Sequence, residues 1–244
     1  MKKVDKSSPI PLYYQLKTIL IELIENEELK PGDLMPTERE LCEVHEVSRM
    51  TVNKTITSLV NEGVVYRERG KGTFVAQTKE KHHLTSLLSF TEDMQKKGMD
   101  VDSKIIAFQR ETATKKLEKE LQLPNSNTEV FKIMRLRCCG GEPYALETVY
   151  ISAYLCNELD APMLENNSLY GVLDKVFSRK VEYAYQTIEP ILLSEYESEV
   201  LQVECNSLAL LFARKTYLKN DVPIEVTKAI YRSDRYKFEI ELHR

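Results

Sequence analysis

Arg135 and Arg137 stand two positions apart in a run whose other members are Ile133, Met134 and Leu136. Alternate side chains of an extended chain share a face, so both guanidinium groups project to the same side of a strand. Like charges so placed repel, and two arrangements relieve them. One is salt bridging across a sheet, for which Glu147 and Glu225 are available. The other is a clamp on a phosphate or carboxylate, whose geometry the guanidinium fork matches. Ser168 and Tyr170 open a helical pattern after Asn166-Asn167 and add hydroxyls and amides that suit the same anion. Glu147, Glu225, Tyr231 and Arg232 fall in neighbouring strand-like runs and can hold the hydroxyls of a polyol.

A second constellation suits a longer polyanion. Ser48-Arg49-Met50-Thr51 opens another helical pattern. The Ser48 and Thr51 hydroxyls and the first helix amides can meet phosphate, while Arg49 can take guanine O6 and N7 together. Asn53 and Lys54 leave the same helix start, Asn53 being able to pair with adenine. Arg39 sits early in the preceding helical pattern, within reach of backbone or base. Glu68-Arg69-Gly70-Lys71-Gly72 is a basic turn in which Arg69 and Lys71 flank a glycine, and Gly72, lacking a Cβ, lets the main chain come close to a minor groove.

Other chemistries find little support. The cysteines Cys42, Cys138, Cys139, Cys156 and Cys205 are odd in number and show no CxxC spacing, so they read as reduced thiols. His45, His82, His83 and His243 form no ligand set, and His82-His83 reads as a solvated pair; no metal site is expected. There is no nucleophile elbow and no HExxH, and Gly70-Lys71-Gly72-Thr73 lacks the upstream glycine of a nucleotide-binding loop. No catalytic residue is assigned.

The elements that must position these residues follow from periodicity. Leu12, Leu16, Ile19, Leu20, Leu23 and Ile24 keep the rhythm of an amphipathic helix. Pro36-Thr37-Glu38-Arg39-Glu40 is a capping box for a short helix to about His45, and Ser48 caps a third helix that Gly63 ends. Val64-Val65-Tyr66-Arg67 and Thr73-Phe74-Val75 then make a hairpin. Helix, turn, helix and a basic hairpin together compose a winged helix-turn-helix, which reads DNA with the start of its second motif helix. The net charge of −4 argues against phosphate binding only on average. From Glu22 to Glu46 nine acids face two bases, whereas from Ser48 to Thr73 five bases face two acids.

Gln77 to His83 is polar and aperiodic and is read as a linker. Beyond it, helices are expected over 84–97, 115–121, 169–176 and 195–201. Strands are expected over 105–110, 130–138, 145–151, 184–193, 209–218, 225–231 and 237–242. Tight turns at Gly140-Gly141 and Asn220-Asp221 make that sheet antiparallel. The fold class is therefore α+β, with a DNA-binding domain over 1–76, a linker over 77–87 and an effector domain over 88–244. No apolar run reaches the roughly 18 residues of a membrane span, and Met1-Lys2-Lys3 leads into no apolar signal core, so the expected location is the cytoplasm.

Residues 9–76 closely resemble the GntR superfamily of regulators. The match runs through Pro11-Leu12-Tyr13, Leu29-Lys30-Pro31-Gly32-Asp33, Met35 to Leu41, Val47 to Val52, Leu59 to Gly63 and Gly70 to Val75. The resemblance implies that Arg39 and Arg49 read bases and that Gly72 lies at the wing tip. Asn53 departs from it, since many relatives carry arginine there. Residues 84–244 are similar to the effector domain of the HutC subfamily, the UTRA domain, which implies a chorismate-lyase-like fold and dimerisation. That likeness rests on Leu88 to Met94, Met134 to Arg137, Glu147 to Ile151, Ser168-Leu169-Tyr170 and Glu225-Val226-Thr227. The Ser89 to Met94 run is similar to N-acetylglucosamine-responsive members, which bind amino-sugar phosphates. Carried over, Ser89, Phe90, Thr91, Arg135, Arg137, Ser168 and Tyr170 line the phosphate end, and Glu147, Glu225 and Tyr231 the sugar end. The expected function is a transcription regulator, a repressor released by a small anionic effector such as a sugar phosphate, without a cofactor. Its expected partners are an inverted-repeat DNA operator and a second copy of the chain. The alternatives are an effector-independent DNA binder and an enzyme using the lyase-like domain.

Overall fold

The computed structural model describes residues 2–76, 80–83, 87–165 and 167–239. The chain divides into two compact units, one of Met1–Glu80 with Ser233–Arg235, the other of the rest.

In the first unit, α1 (Leu12–Glu25) buries Leu16, Ile19 and Leu20, as its apolar spacing requires. Helix α2 (Glu38–His45) begins on a completed capping box, in which the Glu40 N–H donates to Thr37 Oγ1 at 3.2 Å and the Thr37 N–H to Glu40 Oε2 at 2.8 Å. It stops where Glu46 turns left-handed, at φ 52°. Ser48 then caps α3 (Arg49–Asn61), accepting the Thr51 N–H at 3.2 Å. Strands β1 (Val65–Glu68) and β2 (Gly72–Val75) pair antiparallel from Val65↔Val75 to Glu68↔Gly72. Leu16, Leu20, Met35, Leu41, Val52, Ile56, Leu59, Val65 and Val75 make one core. This is the winged helix-turn-helix that the sequence pattern predicts.

The box at Thr37 gives a direct test. Thr37→Ala is expected to cost about 1 kcal/mol, seen as a lower urea midpoint, and an unchanged midpoint would show that the cap contributes nothing. Glu40 is held below the usual carboxylate range, first by the Thr37 N–H and then by the Thr37 hydroxyl. Its support is therefore complete above the unfolded-state pKa and is lost as pH falls through the lower folded-state value.

After the hairpin the chain runs through β3 (Glu80–His83), whose first residue belongs to the first unit, and then in the second unit through α4 (Phe90–Lys96), β4 (Val101–Thr112), α5 (Lys115–Glu120), β5 (Glu129–Cys139) and β6 (Glu142–Ser152). It continues through α6 (Leu169–Lys175), β7 (Val181–Leu192), α7 (Glu195–Leu201), β8 (Leu208–Leu218), β9 (Pro223–Arg232) and β10 (Tyr236–Glu239). Six strands form one antiparallel sheet in the order β4-β5-β6-β9-β8-β7. Its faces are divided by residue parity. Ile133, Val149 and Ile151 pack with Leu169, Tyr170 and Leu173 of α6, whereas Met134, Leu136, Leu146 and Ile230 pack with Leu201 of α7.

Two expectations about this unit are corrected. The helix read over 84–97 is only Phe90–Lys96, because Ser89 is extended and closes a capping box with Glu92; 84–86 lie outside the described residues. The linker reading over 77–87 also fails in part. Glu80–His83 is a strand paired with β10. Its partner lies some 150 residues downstream, so local periodicity carries no trace of it. The strand expected over 237–242 is Tyr236–Glu239, and 240–242 lie outside the described residues.

Candidate functional site

The start of α3 presents Arg49, Met50, Asn53 and Lys54, all exposed, while Val52, Thr55, Ile56 and Leu59 turn inward. The Ser48 and Thr51 hydroxyls lie 3.0 Å apart and Ser48 is engaged in the cap, so both fix the helix start itself. Lys54 Nζ lies 3.9 Å from the centre of the Tyr13 ring. Arg39 pairs with Glu43 at 2.9 Å and Lys71 with Glu68 at 2.8 Å, both largely exposed. Such exposed pairs are weak and screened by solvent, so a phosphate or base edge can displace them. Arg69 is exposed beside Lys71 in the hairpin turn. Sequence reading missed Lys3 and Lys6, which reach Glu46 at 3.4 and 3.3 Å across about forty residues and offset an acid beside the reading helix.

Gly72 has φ +130°, and a Cβ there would lie 2.7 Å from Leu34 Cδ1. Leu34 is half exposed and can swing aside, so the stronger demand for glycine comes from the backbone. Gly72→Ala is expected to destabilise the hairpin by about 1 kcal/mol or more, seen as faster amide exchange at β1 and β2. Unchanged exchange would show that the turn accepts a side chain.

The other constellation converges on one face of the large sheet. Cross-strand register aligns Arg135 with Glu147, Ala229 and Phe212, the next row holds Thr227, Arg214 and Gln186, and Arg137 shares a row with Ala145 and Tyr231. Ser89, Phe90, Arg135, Arg137, Glu147, Tyr170, Glu225 and Tyr231 thus line a single cavity, narrow between these side chains, with about 30 Å³ open to a sphere the size of water. Thr91 and Ser168 stand behind it, Thr91 accepting from Arg137 Nη2 at 2.7 Å and Ser168 donating to Ser89 Oγ at 3.0 Å. Arg232 is elsewhere. Next to Tyr231 in the strand, it faces the opposite side and donates to the Pro143 and Leu201 carbonyls at 3.2 and 3.4 Å, which corrects its reading as a polyol ligand.

Gln186, Phe212, Arg214 and Thr227 also line the cavity and were missed. Arg214 donates to Gln186 Oε1 at 2.7 Å, to the Tyr170 hydroxyl at 3.3 Å and to the Leu88 carbonyl at 3.4 Å. The two arginines first singled out differ in their surroundings. Arg135 donates twice to Glu147 Oε2, at 3.0 and 2.6 Å, so the salt-bridge reading holds for it. Arg137 is 2% exposed and lies over the Phe90 ring at 4.7 Å, and its Nε and Nη1 have no hydrogen-bond partner. Burial, and then the charge of Arg135, lowers its pKa to about 10. Arg135 Nη1 and Glu225 Oε2 are likewise unpaired, while Thr227 donates to the other Glu225 oxygen. Burial pushes Glu147 up, but Arg135 and Arg137 outweigh it and hold the carboxyl below its usual range. Burial and the nearby Glu147 push the Tyr231 hydroxyl up to about 12. Three guanidinium groups therefore face two carboxylates.

Comparison with known proteins agrees with the architecture of both units. Residues 12–75 match the model of the gntR family of bacterial regulatory proteins, and residues 96–237 match the UTRA domain. The HTH-type transcriptional repressor NagR of Bacillus subtilis (strain 168) is 37% identical over 235 residues, 96% of each chain. The chain belongs to the UTRA-bearing gntR family of transcription regulators. Two further likenesses span nearly the whole chain. The mannosyl-D-glycerate transport/metabolism system repressor MngR of Escherichia coli (strain K12) is 29% identical, covering 96% of this chain and 97% of that protein. The crystal structure of PhnF from Mycobacterium smegmatis superposes with TM-score 0.62 at 28% identity, over 93% of this chain and 99% of that one. The family consists of DNA-binding regulators rather than enzymes, which decides against the lyase reading. Among the described residues no helix is long and apolar enough to cross a membrane.

Proposed function

We propose that the chain is a repressor that binds an inverted-repeat operator as a homodimer and is released by a small anionic effector of the amino-sugar phosphate class. The observation that carries the reading is Arg137, a guanidinium buried in the cavity with two unpaired nitrogens. A buried charge short of acceptors is costly, and a ligand oxyanion supplies the missing ones. At the other end of the lining, the unpaired Glu225 oxygen calls for a donor, such as a hydroxyl or amide N–H of the same ligand. Arg39, Arg49, Asn53 and Lys54 meet DNA in the major groove, and Arg69, Lys71 and Gly72 meet it at the wing. Two copies are needed because one reading helix covers only a half-site.

Calorimetry with glucosamine 6-phosphate, N-acetylglucosamine 6-phosphate, inorganic phosphate and the unphosphorylated sugars tests the effector class. Phosphorylated amino sugars should bind, and Arg137→Met should weaken them by about one to two powers of ten, as for loss of a charge-assisted bond. Equal binding of the neutral sugars would overturn the anion assignment. Sedimentation on operator DNA tests the assembly: two chains per duplex are expected, and one per duplex would overturn the dimer.

A further inference from the structure

We infer that Met50 is a specificity-determining residue of the reading helix, which recognises the C5-methyl group of a thymine in each operator half-site. This rests on DNA binding by the family and is independent of the effector reading. Met50 is 81% exposed, whereas Val52, Ile56 and Leu59 of the same helix are at most 1% exposed. No packing inside the unit accounts for so large an apolar side chain in water.

Its position on α3 identifies the surface it meets. At 3.6 residues per turn, Arg49 and Asn53 lie to one side of Met50, Lys54 lies to the other, and Thr57 is almost in line with it. Every one of these is exposed, so Met50 stands near the middle of the polar arc. The flanking groups are cationic or amide, as a phosphate-walled groove requires. With Tyr13, Met50, Asn53, Lys54 and Thr57 border an open groove along the helix.

The major groove offers this side chain few choices. Base edges there present nitrogen and oxygen donors and acceptors, and the one apolar group is the thymine C5-methyl. Methionine is flexible and polarisable and packs on such a group without needing one fixed angle. Its reach complements Arg49, which takes acceptors on a guanine.

The test uses the full-length protein and an operator selected from random duplex DNA with this protein. Each thymine is replaced in turn by deoxyuridine, which removes only the methyl group. One symmetry-related pair of replacements should weaken wild-type binding by about fourfold per half-site, the effect of one buried methyl-sized group. On Met50→Ala that same pair should have no effect, and on Met50→Leu most of it should persist. Met50→Gln, similar in length but polar, should behave like Met50→Ala. Because the residue is exposed, melting temperatures should match across the variants. The inference is overturned if no thymine loses its deoxyuridine effect in Met50→Ala, or if Met50→Gln binds and discriminates like the wild type.

Discussion

Arg135→Ala is expected to destabilise the effector domain by about 3 to 5 kcal/mol, the usual consequence of removing one partner from a buried ion pair. Glu147 would be left with its carboxylate buried and its two donors from Arg135 gone. The penalty should depend on pH in a particular direction. With Arg135 absent, burial, the largest influence on Glu147, is opposed by less charge and raises the folded-state pKa relative to the wild type. A raised folded-state value favours folding below it and disfavours folding as pH rises through it, so the loss should shrink on acidification. Adding Glu147→Gln should recover part of the stability at neutral pH. Equal stability of Arg135→Ala and wild type in urea at pH 7 would show that the pair contributes nothing. Arg137 has no carboxylate partner to strand, so substituting it perturbs the cavity with less structural cost.

Arg49→Ala is expected to lower operator affinity by about 1 to 3 kcal/mol per half-site while changing affinity for scrambled DNA much less. The reason is the asymmetry between contact types. Phosphate contacts serve every sequence, whereas a bidentate pair with guanine serves one base. Arg49 is exposed at the first turn of α3, so the fold should not respond. Lys71→Ala should instead weaken all sequences alike and reduce the salt slope by about one. Titrations on both duplexes at two salt concentrations separate the two. An equal loss for Arg49→Ala on operator and scrambled DNA would remove Arg49 from base reading.

The first unit was legible because its signals are local. Thr37 with Glu40, Ser48 before an apolar rhythm, and glycines flanking a basic turn each act within a few residues. In the second unit, helix α7 has the limits its pattern predicts, Glu195–Leu201, since Ser194 and Glu197 form another capping box. Helix α4 carries the same signal at Ser89 and Glu92, but Leu87 and Leu88 prolong the apolar rhythm and mask it. Strand β3 and the role of Arg214 lay beyond sequence reading for a different reason. Arg214 sits in a run of mixed residues where a charge ordinarily points to water, and only the pairing of Gln186 with Arg214 and of Arg214 with Thr227 puts it on the cavity side. Arg232 erred the other way, since adjacency to Tyr231 in sequence means opposition in a strand.

The thiols of this chain supply a built-in ruler. Cys138, Cys139 and Cys156 are buried, Cys205 is exposed and Cys42 is half-buried, so a maleimide dye has one ready site in the effector unit and a slower one in the DNA-binding unit. Burial also raises the Cys156 thiol to about 11 and lifts Cys138, which slows both further near neutral pH because the thiolate is the reacting form. Donor and acceptor fluorophores placed in sequence on Cys205 and Cys42 would then report the separation of the two units by energy transfer, on operator and with effector, without any cysteine being engineered in or out.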